Sequence, residues 1–329
     1  MGEVGAEERA IEPDVELIDT HSHIWGERPG IPAYSIDDYA EDVRSSGHNV
    51  VASLMVEAHY GYRESGPEHL RCVGETETLS TFIAHTEPSY PDIGRGIVAG
   101  ADLLLGAKLG VVLEAHAVAA KGRLRGVRGS TFYSVLPFLG WLSPAERVGM
   151  LRLPEVAAAV AEVAKRGLVV DLFVIGDQLL DVAHLAEACP NAVIVLNHLG
   201  GTQIGDVSPN ESQPSFAVWL HGLRTLSDLP NVFCKAGGLG MQSDRPLDDL
   251  SSAVISSTDL SDRWRPFAEA AFDLFGAQRC MWESNFPVDR KTSSLGVSIN
   301  AWKRLTASFD SESREAFFAG TAKRVYSLY

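Results

Sequence analysis

Leu17-Ile18-Asp19-Thr20-His21-Ser22-His23-Ile24-Trp25 closes the first apolar run of the chain and sets two histidines one residue apart. Successive side chains of a β-strand point to opposite faces, so an extended LIDTHSHIW puts His21 and His23 on one face with Leu17 and Asp19. Two imidazoles on one strand face can bind one metal ion. A strand that merely ends in exposed histidines has the same spelling, and the rest of the chain decides between the two.

Short apolar runs recur at residues 15–19, 50–56, 94–98, 124–127, 168–174, 192–196, 232–236 and 280–283. Between them lie segments with helical periodicity or helix-start signals. Ser35-Ile36-Asp37-Asp38 opens the first at 39–45, and the others cover 75–86, 106–119, 154–166, 177–188, 216–227, 263–275 and 311–325. Strands that are apolar on both faces and alternate with helices imply a parallel sheet covered on both sides. Eight such units predict an α/β fold of the (β/α)8 TIM-barrel type, one domain spanning 1–329 with residues 1–14 as an N-terminal extension. A doubly wound open sheet is the rival, but no G-x-G-x-x-G follows the first run. The connections 60–74, 129–153 and 200–214 are expected as long loops over the C-terminal face, and 237–262 as partly helical.

Composition narrows the function. Lys and Arg number 28 against 43 Asp and Glu, a formal charge of −15, which is the wrong sign for binding a phosphate backbone. The start MGEVGAEERA lacks the cationic, apolar pattern of a signal peptide, and no run of about 18 apolar residues could span a bilayer. A cytoplasmic protein with a small-molecule substrate, and no nucleic-acid or membrane partner, is expected; homo-oligomerisation is left open. Cys72, Cys189, Cys234 and Cys280 are scattered without a CxxC pair and read as reduced thiols. By strand parity Cys234 and Cys280 should face the helix layer.

In a barrel of this kind the active site gathers at the C-terminal strand ends. In order these carry His21 and His23, Glu57 and His59, Asp102, Arg128, Asp171, His198, Lys235, and finally Glu283, Asn285 and Asp289. Nearly every end bears a group that can ligate a metal, move a proton or hold an anion, which raises His-x-His above the bland reading. Parity groups Met281, Glu283 and Asn285 on one face, Phe233 with Lys235, and Ile194 and Leu196 with His198. His48, His85, His116, His184 and His221 fall in or beside predicted helices and read as structural or solvated. His59 and His69 lie on the loop after the second strand, within reach of a substrate.

DTHSH after the first strand, NHLGG after the sixth and WESNFPVD after the eighth resemble the amidohydrolase superfamily, in particular its TIM-barrel metal-dependent hydrolases related to sugar-acid lactonases. RGVR at 125–128 and CKAGGLGM at 234–241 resemble the same branch. The resemblance implies a hydrolase that opens a lactone or related cyclic ester, and one divalent metal ion, Zn²⁺ or Mn²⁺. Relatives hold the ion through the His-x-His, a histidine after strand five and an aspartate after strand eight. Here strand five carries Asp171 and the strand-eight position is Asn285, and an amide is a poor zinc ligand and no base. Both a metal-bound and a metal-free site are therefore expected alternatives.

With a metal, His21 and His23 are the expected ligands, with Glu57, His198 or Glu283 completing the shell. His198, Glu283 and Asp289 are the expected proton carriers, and Arg128, Lys235, His59, Asn285 and Trp25 the groups that hold substrate or oxyanion. An inward Arg and Lys on an acidic protein suit an anionic or polyhydroxylated lactone, although both can instead pair with Glu57 and Asp171. A lyase that decarboxylates an aromatic or unsaturated acid, and a catalytically silent metabolite-binding barrel, are the competing readings.

Overall fold

The eight apolar runs become eight parallel strands: β1 (Glu16–Ser22), β2 (Asn49–Val56), β3 (Asp92–Gly100), β4 (Leu124–Ser130), β5 (Val169–Phe173), β6 (Val193–Leu196), β7 (Val232–Ala236) and β8 (Cys280–Trp282). They pair in sequence order, each with the next. The computed structural model describes residues 8–28, 31–86, 91–131, 149–201, 214–241 and 255–329. The expected mouth loops 129–153 and 200–214 lie largely outside these residues; of 237–262, expected as partly helical, residues 257–262 begin a helix. The ring is closed at the top by a bridge between Ser22 and Phe286, where His23 N–H donates to Phe286 O at 2.8 Å and Asn285 N–H to His21 O at 2.8 Å. This is the (β/α)8 TIM barrel that the alternation predicts.

Helices α1 (Ile36–Ser45), α2 (Val73–Ala84), α3 (Leu109–Ala119), α4 (Pro154–Ala164), α5 (Leu179–Ala188), α6 (Pro214–Ser227), α7 (Ser257–Phe275) and α8 (Leu295–Leu305) coat the barrel. Helix α1 begins where its sequence says: Ser35 and Asp38 form a reciprocal capping box that satisfies two otherwise orphaned N–H groups. Helix α8 is not anticipated from the sequence, because Gly296, Val297, Ser298, Ile299 and Asn300 are weak helix formers. Tertiary packing makes it: ten of its residues are buried, and Trp302 stacks near Trp264 with ring centroids 5.6 Å apart. The expected helix 311–325 is instead broken by a π-helical turn at Ala316–Gly320.

Two apolar layers result. One lies between strands and helices and includes Leu17, Met55, Val127, Leu172, Ile194, Leu196, Cys234 and Cys280. The other fills the barrel with Ile18, Leu54, Val98, Val169, Val195 and Met281, and is capped from below by Tyr326 and Leu328. Each fully buried aliphatic side chain contributes about 1.5–3 kcal/mol, so this inner plug is a rigid floor for whatever stands above it.

The layers correct two parity readings. On β1, Leu17 faces the helices, and Asp19 accepts from Tyr39 Oη of α1 at 2.7 Å. A register shift between Asp19 and Ser22 then re-aims the strand, so His21 does not share the face of Leu17 and Asp19. On β6, Ile194 and Leu196 point outward, and His198 reaches the interior only because it and Leu199 adopt φ of 55° and 54°. Among the described residues no helix is long and apolar enough to cross a membrane.

Candidate active site

Past the bulge in β1 the two histidines converge, with His21 Nε2 and His23 Nε2 3.1 Å apart. His23 Nδ1 lies 2.9 Å from Val56 O, an acceptor only, so that nitrogen carries the ring proton. Burial, then the nearby Arg128 guanidinium, holds His23 well below the ordinary histidine range, so its ring is neutral and Nε2 bears a lone pair. Burial, then His198 and Lys235, does the same to His21. Arg128 Nη1 stands 3.2 Å from His21 Nε2 and can only donate, which leaves that atom a lone pair as well. The one lone pair of His21 Nε2 thus receives Arg128, whereas His23 Nε2 keeps its own.

Glu283 stands behind them, continuing the inward face of Met281 on β8. Its Oε1 accepts from the His198 backbone N–H at 2.9 Å and lies 2.7 Å from His198 Nδ1. Its Oε2 is 3.0 Å from His21 Nδ1 but off the line of a straight hydrogen bond, so both buried atoms lack a directed partner. The left-handed turn at His198 needs space beneath it, and Gly238 supplies it: an added Cβ would fall 2.1 Å from His198 Nδ1 at a φ of +66°.

The barrel's other charges neutralise one another. Arg128 Nε donates to Glu57 Oε1 at 2.8 Å. Burial alone would raise Glu57, but Arg128 and then His59 hold it below the usual carboxylate range. Deeper in, Lys235 Nζ donates to Asp171 Oδ2 at 2.6 Å, both fully buried, while Asn197 Nδ2 shares that oxygen and Tyr326 Oη donates to Oδ1 at 2.6 Å. Glu283 has no Lys or Arg partner among the described residues.

These atoms bear on a cation. His21, His198 and Glu283 offer ligand atoms within 4.8 Å of one another, and His23 Nε2, 3.1 Å from His21 Nε2, borders the group with its lone pair. Neutral imidazoles, orphaned buried atoms and an uncompensated carboxylate all fit a divalent ion. Of the three candidates expected to complete the shell, His198 and Glu283 stand beside His21, whereas Glu57 is held by Arg128.

Above this group a pocket is lined by His23, Trp25, Ala58, Arg128, Phe173, His198, Met241, Asn285 and Val288. Five residues singled out in the sequence meet there: His23, Trp25, Arg128, His198 and Asn285. Lys235, expected at the substrate, is a buried ion pair in the floor instead, because an unpaired ammonium at that depth would cost several kcal/mol. Asp289, expected as a proton carrier, has both oxygens occupied, Oδ1 by Asn285 Nδ2 at 2.7 Å and Oδ2 by Gly240 N–H at 2.8 Å. His59 does not line the pocket; its Nε2 sits 3.4 Å from Glu57. His69 is exposed on the short turn Glu68–Leu70, and Asp102 caps the turn Leu103–Lys108. His48 and His116 are structural: His48 contacts Lys303 Nζ at 3.0 Å and His116 contacts Thr76 Oγ1 at 2.8 Å. Phe173 escaped the sequence reading, although its place at the end of β5 was the available signal.

Residues 18–328 match the family model described as Amidohydrolase. The chain belongs to the amidohydrolase family. This amidohydrolase is 29% identical over 336 residues to the uncharacterized protein y4mH of Sinorhizobium fredii, covering 96% of this chain and 99% of that one. It is also 30% identical over 173 residues to an L-fucono-1,5-lactonase of Burkholderia multivorans, covering 52% and 55% of the two chains. Among solved structures, a Burkholderia multivorans amidohydrolase with bound Zn superposes with a TM-score of 0.71 at 24% identity, over 95% of this chain and 99% of that one. That likeness speaks to the barrel.

Proposed function

We propose that this amidohydrolase opens a small lactone or related cyclic ester, anionic or polyhydroxylated, by activated water. The observation that carries the reading is His198, pinned through Nδ1 by Glu283 and facing the same pocket as Arg128. Glu283 fixes the tautomer: with the proton on Nδ1, the neutral ring presents an Nε2 lone pair. That atom takes a proton from water as the oxygen adds to the lactone carbonyl carbon. The ring C–O bond then breaks, and His198 returns the proton to the departing alkoxide, giving a hydroxy acid. Arg128, steadied by Glu57, supports the negative charge that gathers on the carbonyl oxygen.

A divalent ion held by His21 and His23, or by His21, His198 and Glu283, would polarise the carbonyl and acidify bound water. The curated L-fucono-1,5-lactonase relative supports a sugar-acid lactone as the substrate class. The deciding experiment follows acid release from a panel of five- and six-membered lactones, with protein stripped by chelator and protein reloaded with Zn²⁺ or Mn²⁺. Acid release by wild type, with metal content read by plasma mass spectrometry, is the expected result. No acid from any lactone, but CO₂ from aromatic carboxylic acids, would overturn hydrolysis in favour of decarboxylation.

A further inference from the structure

Asn285 is 2% exposed, sits on the pocket wall and is held at a φ of 55°. An asparagine at such a wall has two faces to offer, an N–H₂ donor or a C=O acceptor, and hydrogen-bond partners decide which one. Ionised Asp289 decides it here, because a carboxylate can only accept. Its Oδ2 is fixed as an acceptor by Gly240 N–H, and Gly240 is itself tied down because Thr292 Oγ1 donates to its carbonyl at 2.8 Å. The other oxygen, Oδ1, takes Asn285 Nδ2 at 2.7 Å. The amide nitrogen is thus turned to Asp289. Asn285 Oδ1 accepts no hydrogen bond among the described residues and remains available at the pocket. An oxyanion would find no complement in that atom, whereas a hydroxyl would.

Resting on the lactone reading above, we infer that Asn285 selects hydroxylated substrates, its Oδ1 accepting from a substrate O–H, with Asp289 as the positioning residue that sets the amide's orientation. The pocket then divides its work: Arg128 donates to the carbonyl, and Asn285 accepts from a hydroxyl on the same ring. A site built to bond a hydroxyl discriminates strongly against the analogue without it, because the polar atom is left unpaired.

The test is calorimetric binding of two six-membered lactams, the tetrahydroxylated glucono-1,5-lactam and plain δ-valerolactam, so that no turnover is needed. Wild type is expected to prefer the hydroxylated ring by at least about tenfold, a cautious fraction of what hydroxyl-reading sites achieve. Asn285→Leu should bring the ratio to within about twofold of unity. Asp289→Asn should do the same for a different reason. The new amide must still give an oxygen to Gly240 N–H, so it presents N–H₂ to Asn285 and turns the pocket-facing group into a donor. A wild-type ratio near one, or a ratio that survives both substitutions, overturns the inference. If either variant fails to fold, wild type against the tetra-O-methyl lactam decides: undiminished binding without O–H donors overturns it, and at least a tenfold loss supports it. Absence of lactone hydrolysis would instead sink the proposed function while leaving the binding ratio to be read on its own.

Discussion

In the proposed mechanism His198 meets two demands at once: a base must face the substrate, and Glu283 must hold its other nitrogen. His198→Gln should lower kcat about 10²–10⁴-fold with an unchanged far-UV spectrum, the usual range for losing a positioned proton carrier. His21→Ala should cost at least about tenfold in the same assay; near-wild-type turnover in either folded variant would refute the site. Arg128 is held differently, as half of a buried pair. Arg128→Met leaves Glu57 4% exposed without its guanidinium, and denaturant unfolding should report a loss of about 3–5 kcal/mol, typical of breaking such a pair from one side. At this scale the sequence was informative about residue type and position along the chain. Strand ends pointed to His21, His23, Arg128, His198, Glu283 and Asn285, but not to how they divide their partners. Whether Lys235 meets substrate or Asp171 depends on depth in the barrel, which no linear pattern encodes.

Elements rather than residues explain the two parity failures. A two-residue alternation holds while the strand is regular, as on β7 and β8, where Lys235 and Glu283 face inward as expected. It fails at the shifted register of β1 and at the left-handed turn after β6, both within two or three residues of functional histidines. Gly238 is the counterpart of that turn. Gly238→Ala should displace His198 from Glu283, reducing kcat at least about tenfold and stability by about 1–3 kcal/mol, since it adds both a clash and a strained φ. A crystal structure of the variant with His198 Nδ1 still within hydrogen-bond distance of Glu283 would contradict this. Helix α8 illustrates the opposite limit, an element with weak local preference that exists because its neighbours bury it.

Across the whole molecule, buried carboxyls set the response to pH. Burial, then the charge of Glu57, raises Glu75 to about 8, although its Oε1 accepts from Ala58 N–H at 2.7 Å. Burial likewise raises Asp19 to about 6 and Asp289 to about 7. A carboxyl with a raised folded-state value keeps its proton where the unfolded chain has lost it. Stability from these groups is therefore full near pH 4 and declines as pH climbs through about 6 to 8. Glu75→Gln retains the acceptor oxygen and removes the titration. Its melting temperature relative to wild type should rise by about 2–4 °C between pH 6 and pH 9, and a constant difference by differential scanning calorimetry would refute the assignment. The barrel itself was legible from eight alternating units, whereas this pH response arises only from distances between elements. The ion pairs of the interior also fall into two sets. Glu57, just past β2, pairs with Arg128 of β4 and Asp171 of β5 with Lys235 of β7, whereas the contact of His21 with Glu283 runs from the first four strands to the last four. Each of these two pairs neutralises itself within its own half-barrel, and the proposed catalytic group stands at the seam. On the proposed mechanism, a chain severed between β4 and α4 would part His21 from His198 and Glu283, so activity would require both pieces together.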